Sequence, residues 1–254
     1  MSAAPVALIR VEGLRKRFGS QEVLRGVDLE IAQSELMVVI GRSGGGKSVL
    51  LRHLLGLVRP DAGRVIIDGQ DVASLRGRDL DRIRERFGVV FQGGALFDSL
   101  SVLDNVLFPI RERRRLPAAE LLSRAQEALA QVGLAEMGHK YPAEVSGGMR
   151  KRVAIARALV TEPQVVFLDE PTTGLDPILV NSIHHLVVGL HRKFGFTAVM
   201  VSHEIPEIFQ IADRVAMLHD GVIVDSGTPG AIQASPNPIV QHFIRGEVES
   251  VADR

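Results

Sequence analysis

Three short, nearly uninterrupted apolar runs punctuate the chain: Leu-Met-Val-Val-Ile at 36–40, Gln-Val-Val-Phe-Leu at 164–168 and Thr-Ala-Val-Met-Val at 197–201. Runs of this length without polar alternation predict strands buried on both faces, the habit of parallel sheets. A helical spacing follows the first, where Leu51, Leu54, Leu55 and Val58 fall at i, i+3, i+4 and i+7 and predict a helix closing before Pro60. Another follows the second: Asp176 is placed to cap a helix, Pro177 to open it, and Ile183, Leu186, Val187 and Leu190 form its stripe. Strand alternates with helix, so the core is expected to be α/β.

The middle of the chain reads differently. From about residue 95 to 159 there are helical spacings, such as Leu122, Ala125, Leu129 and Val132 between Pro117 and Gly133, and no pattern for a core strand. That stretch is expected to be a helical insertion. Asp68-Gly69 and Asp220-Gly221 lie between apolar stretches and predict hairpins, which puts an antiparallel element beside the parallel core. The expected organisation is one domain over 1–254. Residues 1–94 and 160–230 make the core with its antiparallel element, 95–159 a helical subdomain, and 231–254 a C-terminal tail.

Composition narrows the function. A chain of 254 residues can bury one large core. Thirty basic and thirty acidic residues leave no net charge, which argues against an overall basic footprint and hence against a nucleic-acid partner. The absence of cysteine removes disulfides, thiolate metal sites and a cysteine nucleophile. No apolar run is long enough to cross a bilayer. The opening Met-Ser-Ala-Ala-Pro-Val-Ala-Leu-Ile-Arg has neither the basic start nor the apolar stretch of an export signal, so a soluble, cytoplasmic protein is expected.

Between the first strand and its helix lies Gly41-Arg42-Ser43-Gly44-Gly45-Gly46-Lys47-Ser48, which fits the phosphate-binding pattern of glycine, four residues, then Gly-Lys-Ser. Glycines let the backbone curl so that successive N–H groups face phosphate oxygens, and the helix start adds partial positive charge. Lys47 is placed to reach the outer phosphates and the Ser48 hydroxyl to coordinate Mg²⁺. The run ending at Leu168 continues into Asp169 and Glu170. Asp169 is expected to hold Mg²⁺, and Glu170, which costs like-charge repulsion unless it has a task, to polarise the water that attacks a γ-phosphate. The competing readings are a glycine-rich turn with an exposed lysine, and two acids that merely end a strand.

With these motifs in this order, from Gly-Leu-Arg-Lys-Arg-Phe-Gly at 13–19 to Asp-Gly-Val-Ile-Val-Asp-Ser-Gly-Thr-Pro at 220–229, the chain resembles the ATP-binding subunits of ABC transporters. The resemblance implies a P-loop NTPase core of RecA-like type, carrying an antiparallel β element and an inserted helical subdomain. It also accounts for Ser146-Gly147-Gly148, a phosphate-binding turn that lacks its own lysine. Flanked by Val145 and Met149, it is similar to the family signature, which binds the γ-phosphate of ATP held by a second copy. By the same resemblance Gln92 senses Mg²⁺ and the attacking water, His203 contacts the γ-phosphate, Asp176 communicates across the dimer, and Phe18 stacks on adenine unless it is packed core. His184, His185, His191 and His219 have no such setting and are expected to be surface or structural residues.

A finer resemblance, carried by Phe91-Gln92-Gly93-Gly94-Ala95-Leu96-Phe97 onward, Ser-Gly-Gly-Met at 146–149 and the run from Asp169 to Ile178, is to the Mla-type, MCE-associated phospholipid-transport ATPases. It implies ATP and Mg²⁺ as cofactors, a homodimer, an integral membrane permease, a small accessory regulatory subunit and a lipid-binding MCE-type protein. It also implies peripheral attachment to the inner face of the inner membrane and a role in outer-membrane lipid asymmetry. Importers of amino acids share much of this pattern. A soluble ABC ATPase of iron–sulfur cluster assembly and an inactive regulatory cassette are the further alternatives. Leu96 and Phe97 are expected either to dock the permease or, for Phe97, to be core. The basic run Arg111–Arg115 is either a solvated face or a contact for a permease loop or anionic headgroups, and the tail after Pro236 either packs on its own core or reaches a partner.

Overall fold

The computed structural model describes residues 7–113 and 116–246. In chain order its elements are β1 (Ala7–Phe18), β2 (Gln21–Ala32), β3 (Leu36–Ile40), α1 (Lys47–Leu54), β4 (Ala62–Ile67), β5 (Gln70–Asp71), α2 (Gly77–Arg84), β6 (Phe87–Val90), α3 (Val102–Arg113), α4 (Ala118–Gln131), α5 (Gly147–Leu159), β7 (Val165–Asp169), α6 (Pro177–Phe194), β8 (Thr197–Ser202), β9 (Arg214–His219), β10 (Val222–Gly227), α7 (Pro229–Gln233) and α8 (Pro238–Ile244). They belong to two compact units, one drawn from residues 1–80 with 199–254 and the other from residues 81–198.

In the first unit an antiparallel sheet runs in the order β2-β1-β4-β5, with Ile9 opposite both Ile31 and Ile67. Its strands alternate: Leu24, Val27, Leu29 and Ile31 are buried on β2 while Arg25, Asp28 and Glu30 are exposed, the pattern of a sheet with one wet face. β3 is buried at all five positions and pairs in parallel with β9, Val38 lying beside Val215. Both Asp-Gly pairs make the expected hairpins. Asp68 and Gly69 (φ 50° and 75°) join β4 to β5, and Asp220 and Gly221 (φ 44° and 77°) join β9 to β10. Two successive positive φ values define a type I′ turn, whose twist matches the strands it joins.

α1 is shorter than its apolar spacing predicts. Gly56 adopts φ 65°, its N–H bonds the His53 carbonyl at 2.9 Å, and the Leu57 N–H bonds Arg52 at 2.8 Å. This left-handed stop leaves Val58 outside the helix. The C-terminal stretch packs on its own chain as far as it is described, with Ile232 of α7 and Val240 of α8 fully buried. Residues 247–254 of the tail lie outside the described residues, as do residues 114–115 of the basic run.

In the second unit β6 and β7 pair in parallel, and the Phe87 and Phe167 rings meet edge to face at 5.1 Å. α5 rests directly on β6: a Cβ on Gly88 would lie 2.5 Å from the Ala158 carbonyl oxygen. Among the described residues of 95–159 there are α3, α4 and α5 and no strand. The buried face of α4 is Ala125, Ala128 and Leu129, whereas Leu122, expected on the stripe, is 40% exposed. α6 begins as the sequence indicates, the Asp176 carboxylate accepting from the N–H groups of Ile178 and Leu179. Its buried face takes in Val180 and His184 as well as Ile183, Val187 and Leu190, while Leu186 is half-buried.

One buried histidine gives the first unit an acid sensitivity. His53, on α1, is 2% exposed, and its Nδ1 donates to the Val49 carbonyl at 2.7 Å. Burial holds its pKa below the ordinary value of 6.5, the Val49 bond only partly opposing this. The unfolded chain therefore takes up the His53 proton at a higher pH than the folded chain. Stability from this group is complete above about pH 6.5 and is lost as the pH falls toward the folded pKa, at no more than about 1.4 kcal/mol per pH unit. Asp61 is depressed by hydrogen bonds from Lys16 and the Arg17 N–H and acts in a separate window below its ordinary 3.8. Urea midpoints measured between pH 7.5 and 5.5 are expected to fall for the parent chain and to fall less for His53→Gln, which cannot titrate.

Candidate active site

In the first unit the loop from Gly41 to Gly46 connects β3 to α1. Gly41 (φ 152°) passes so close to β9 that a Cβ would sit 2.2 Å from the Leu218 carbonyl oxygen. Gly44 and Gly46 also take positive φ, 78° and 98°, and the Gly45 N–H bonds the Arg42 carbonyl at 3.1 Å, closing a tight turn. Gly46 is the N-cap of α1, so no side chain caps that helix, and no acid lies in its first turn. Its first amides and partial positive charge face the loop. Lys47 is only 4% exposed, and its Nζ donates to the carbonyls of Gly41 at 2.8 Å and Arg42 at 3.0 Å. The loop thus fixes the ammonium at its own mouth. Arg42 and Ser43 are exposed on its outer side, and Ser48 is half-buried in the first turn of α1.

His203 stands exposed one residue past β8. With Arg42 it lines a cavity of about 470 Å³ whose wall also includes His219, His242 and Arg245. The structure therefore brings the loop and the expected phosphate-contacting histidine to one basic cavity. It adds His219, which the sequence assigns only a surface or structural place. Phe18, at the end of β1, is 48% exposed with the Lys16 ammonium 5.5 Å from its ring, so it is not packed core.

The second unit holds the other candidate groups. Asp169 closes β7 half-buried, and Glu170 follows in a left-handed conformation, φ 45°. That conformation is disfavoured for a residue with a Cβ and persists where the surroundings hold it. Two donors meet one Glu170 oxygen, Oε2: Gln92 Nε2 at 3.2 Å and Thr173 Oγ1 at 3.1 Å. Because a carboxylate only accepts, the Gln92 amide must present its nitrogen here, which turns its oxygen elsewhere. Gln92 is held in turn through its carbonyl, which accepts from the buried Lys151 Nζ. The Asp169 carboxylate and the oxygen of the Gln92 amide are hard donors of the kind Mg²⁺ takes, as is the Ser48 hydroxyl in the first unit.

Ser146 caps α5, its Oγ accepting from the Met149 N–H at 3.2 Å, and its hydroxyl proton remains able to donate. Gly147 and Gly148 open the helix, and Val145 is buried just before it. A Cβ on Gly148 would meet only the Leu179 side chain, at 3.4 Å. Asp176 is exposed and serves as the cap of α6, followed by Ile178 at 81% exposure.

Beside the Gln92 loop is an apolar groove of about 510 Å³ lined by Phe87, Phe91, Phe97, Phe108, Pro109 and Arg157 among others. Phe97 is 44% exposed and its ring lies 4.8 Å from that of Phe108, so it is not core; Leu96 is half-buried. The fully buried Asn105 fixes the turn, its Oδ1 accepting from the Phe97 N–H at 2.8 Å and its Nδ2 donating to the Phe97 carbonyl at 3.0 Å. Arg157 donates to the carbonyls of Gly94 and Ala95, both at 2.6 Å, and burial draws its guanidinium below its ordinary pKa. Lys151, Asn105 and Arg157 escape a reading of the sequence because each acts on a residue it does not adjoin in a recognisable motif, and Thr173 because its motif does not show which way its hydroxyl turns.

Residues 24–173 match the family described as ABC transporter. The chain is 41% identical to the probable ribonucleotide transport ATP-binding protein mkl of Mycobacterium tuberculosis and to the methionine import ATP-binding protein MetN of Mesorhizobium japonicum, over 94% and 95% of its length. It spans just under two thirds of each of those relatives, 66%. It is 38% identical to the intermembrane phospholipid transport system ATP-binding protein MlaF of Escherichia coli K12, over 90% of this chain and 85% of that one. Among solved structures, cbiO1 of Clostridium perfringens superimposes with a TM-score of 0.83 at 32% identity, covering 94% of this chain and 95% of that one. The ATP-binding cassette MJ0796, dimeric and bound to ADP and Pi, gives 0.79 at 32% identity over 87% of this chain and 98% of that one. The glycine loop with its buried lysine, the acidic strand end and these likenesses agree: the chain belongs to the ABC transporter family and has the P-loop NTPase fold of its ATP-binding cassettes.

Proposed function

We propose that two copies of this chain bind two ATP molecules between them, hydrolyse them, and drive a membrane permease that carries phospholipid. The observation that carries the hydrolytic part is the Glu170 carboxylate, held at the end of β7 by Gln92 and Thr173 next to Asp169. In this reading Gly41, Gly44, Gly45 and Gly46 present backbone amides to the phosphates, Lys47 neutralises the outer ones and Phe18 stacks on adenine. Glu170 orients a water for in-line attack on the γ-phosphate, and His203 contacts the γ-phosphate. Ser48, Asp169 and Gln92 hold Mg²⁺, which when bound neutralises charge on the phosphate oxygens. Ser146, Gly147 and Gly148 serve the ATP of the other copy, and Asp176 lies at that dimer contact.

The phospholipid part rests on the MlaF likeness, which extends over most of the length of that protein. With it come an inner-membrane permease, peripheral attachment at the cytoplasmic face, an MCE-type lipid-binding protein and an accessory regulatory subunit. No described helix is long and apolar enough to cross a membrane, in keeping with a separate permease. Import of methionine or another small solute is the second reading, favoured by the identity to MetN, 41% against 38% for MlaF. Purification of the tagged chain from membranes in detergent, followed by identification of bound lipid and copurifying proteins, separates the two. Phospholipid with an MCE-type protein is expected, and a solute-binding protein without lipid overturns the assignment.

Glu170→Gln keeps the size and the hydrogen-bonding reach of the side chain while removing its charge. It is expected to leave nucleotide affinity intact and to lower hydrolysis by roughly 10² to 10⁴, with ATP-bound dimers accumulating in size-exclusion chromatography. Near-normal turnover removes Glu170 from this role.

The composite site is testable by mixing. An aspartate at Gly148 sits in the first turn of α5, where an acid suits the helix and only the flexible Leu179 is nearby, so the variant is expected to fold. Groups supplied from a second chain can be worth roughly 10³ to 10⁵ in rate. Neither the Lys47→Ala nor the Gly148→Asp homodimer is expected to turn over, whereas their heterodimer retains one intact site and regains activity. Activity no higher than that of the homodimers places the signature in its own chain's site.

The groove beside Gln92 presents aromatic side chains next to a loop whose backbone is held by Asn105 and Arg157, suited to an apolar anchor of the kind that dominates interface energy. Phe97→Asp is therefore expected to stay soluble and bind ATP while leaving the membrane fraction. A soluble variant that still copurifies with the permease excludes the groove as its dock.

A further inference from the structure

Resting on the reading of Glu170 above, we infer that Thr173 is a positioning residue for hydrolysis, acting by holding the Glu170 carboxylate. Its Oγ1 lies 3.1 Å from Glu170 Oε2, the same oxygen that Gln92 Nε2 meets at 3.2 Å. The two donors differ in how they are mounted. Thr173 closes the turn that begins at Glu170, its N–H bonding the Glu170 carbonyl at 3.3 Å. Donor and acceptor are thus held three residues apart by one backbone turn. Gln92 reaches Glu170 from another segment, the exposed loop after β6, and its position depends on the Lys151 contact to its carbonyl. Thr173 is therefore the short, local restraint on the carboxylate, and Gln92 the one that movement of its loop can withdraw.

The geometry favours a task for this hydroxyl beyond stitching the turn. The backbone bond from Thr173 to the Glu170 carbonyl already closes the turn without it. The carboxylate follows a left-handed Glu170, whose φ of 45° directs the side chain away from the course of β7. A hydroxyl donor mounted on the adjoining turn limits rotation about the last torsion of Glu170, which is otherwise broad. Hydrogen bonds to charged groups are worth enough that loss of this one is expected to lower turnover by about 10- to 100-fold.

Thr173→Val removes the hydroxyl at nearly constant shape, and Thr173→Ser keeps it. In the full-length chain the valine variant is expected to lower kcat with KM for MgATP, binding of a fluorescent ATP analogue and thermal midpoint unchanged, and the serine variant to restore kcat. The same substitutions are then made in a Glu170→Gln background and followed in single turnover with excess protein. If Thr173 acts through the Glu170 carboxylate, Thr173→Val costs little further there, because groups acting as a unit are non-additive. A full multiplicative loss in that background, a serine variant as impaired as the valine one, or a valine variant with parental kcat each overturns the inference. Should Thr173→Val unfold, Thr173→Ala carries the same cycle. Failure of the underlying reading looks different, since Glu170→Gln itself then retains turnover whatever stands at 173.

Discussion

Polyphosphate recognition in this chain depends on one constraint, that a helix start be left without a side-chain cap and its backbone be turned toward a single point. α1 meets it with glycines at φ 152°, 78° and 98° at positions 41, 44 and 46. A side chain at 41 is excluded outright by the Leu218 carbonyl. Lys47 is the complement. By bonding its own loop carbonyls it holds the loop curled and keeps its charge where phosphate arrives, so the same contacts serve the fold and the ligand. β3, buried along its whole length, and the parallel β9 beside it give this loop a rigid base.

The second unit uses helix starts differently. α5 and α6 are both capped by side chains, Ser146 and Asp176, that the family resemblance also assigns to nucleotide or dimer contacts. Capping and recognition are compatible in these residues for a simple reason. A serine hydroxyl can accept from its own helix while donating outward, and an aspartate has lone pairs to spare. Glu170, the acid proposed to act on water, is held in the same economical way. Glu170 occupies a conformation that its own backbone disfavours, and side chains from 92 and 173 converge on one of its oxygens.

A chain of polar contacts links this acid to the surface groove within the second unit. Lys151 holds the carbonyl of Gln92, Arg157 holds those of Gly94 and Ala95, and Asn105 clasps Phe97. Lys151 and Arg157 lie on α5, the helix that starts at the signature turn. A single rigid element therefore carries Gly147 and Gly148 at one end and anchors the loop bearing Gln92 and Phe97 along its flank. Ala158, whose carbonyl meets Gly88 of β6, ties that helix to the strand leading into the loop.

The strands expected at 36–40, 164–168 and 197–201, the two Asp-Gly hairpins, the cap at 176 and the glycine loop were legible in the sequence because each is governed by local physics: burial on two faces, a positive φ, a carboxylate before a helix. Where the local pattern competed with packing, it misled. Leu122 fits the stripe of α4 and is exposed, Val58 extends the spacing of α1 past a glycine that ends it, and Ile232 and Val240 bury a stretch whose composition leaves its partner open. The residues proposed for nucleotide were readable as a motif because phosphate demands glycine, lysine and hydroxyl at set intervals. Thr173 on Glu170, Lys151 on Gln92, Asn105 on Phe97, and His219 with His242 on the cavity wall beside Arg42 and His203 were not. Apart from the short turn that carries Thr173, these pairings join residues far apart along the chain or turn on side-chain direction, and only the packed tertiary structure decides which groups meet.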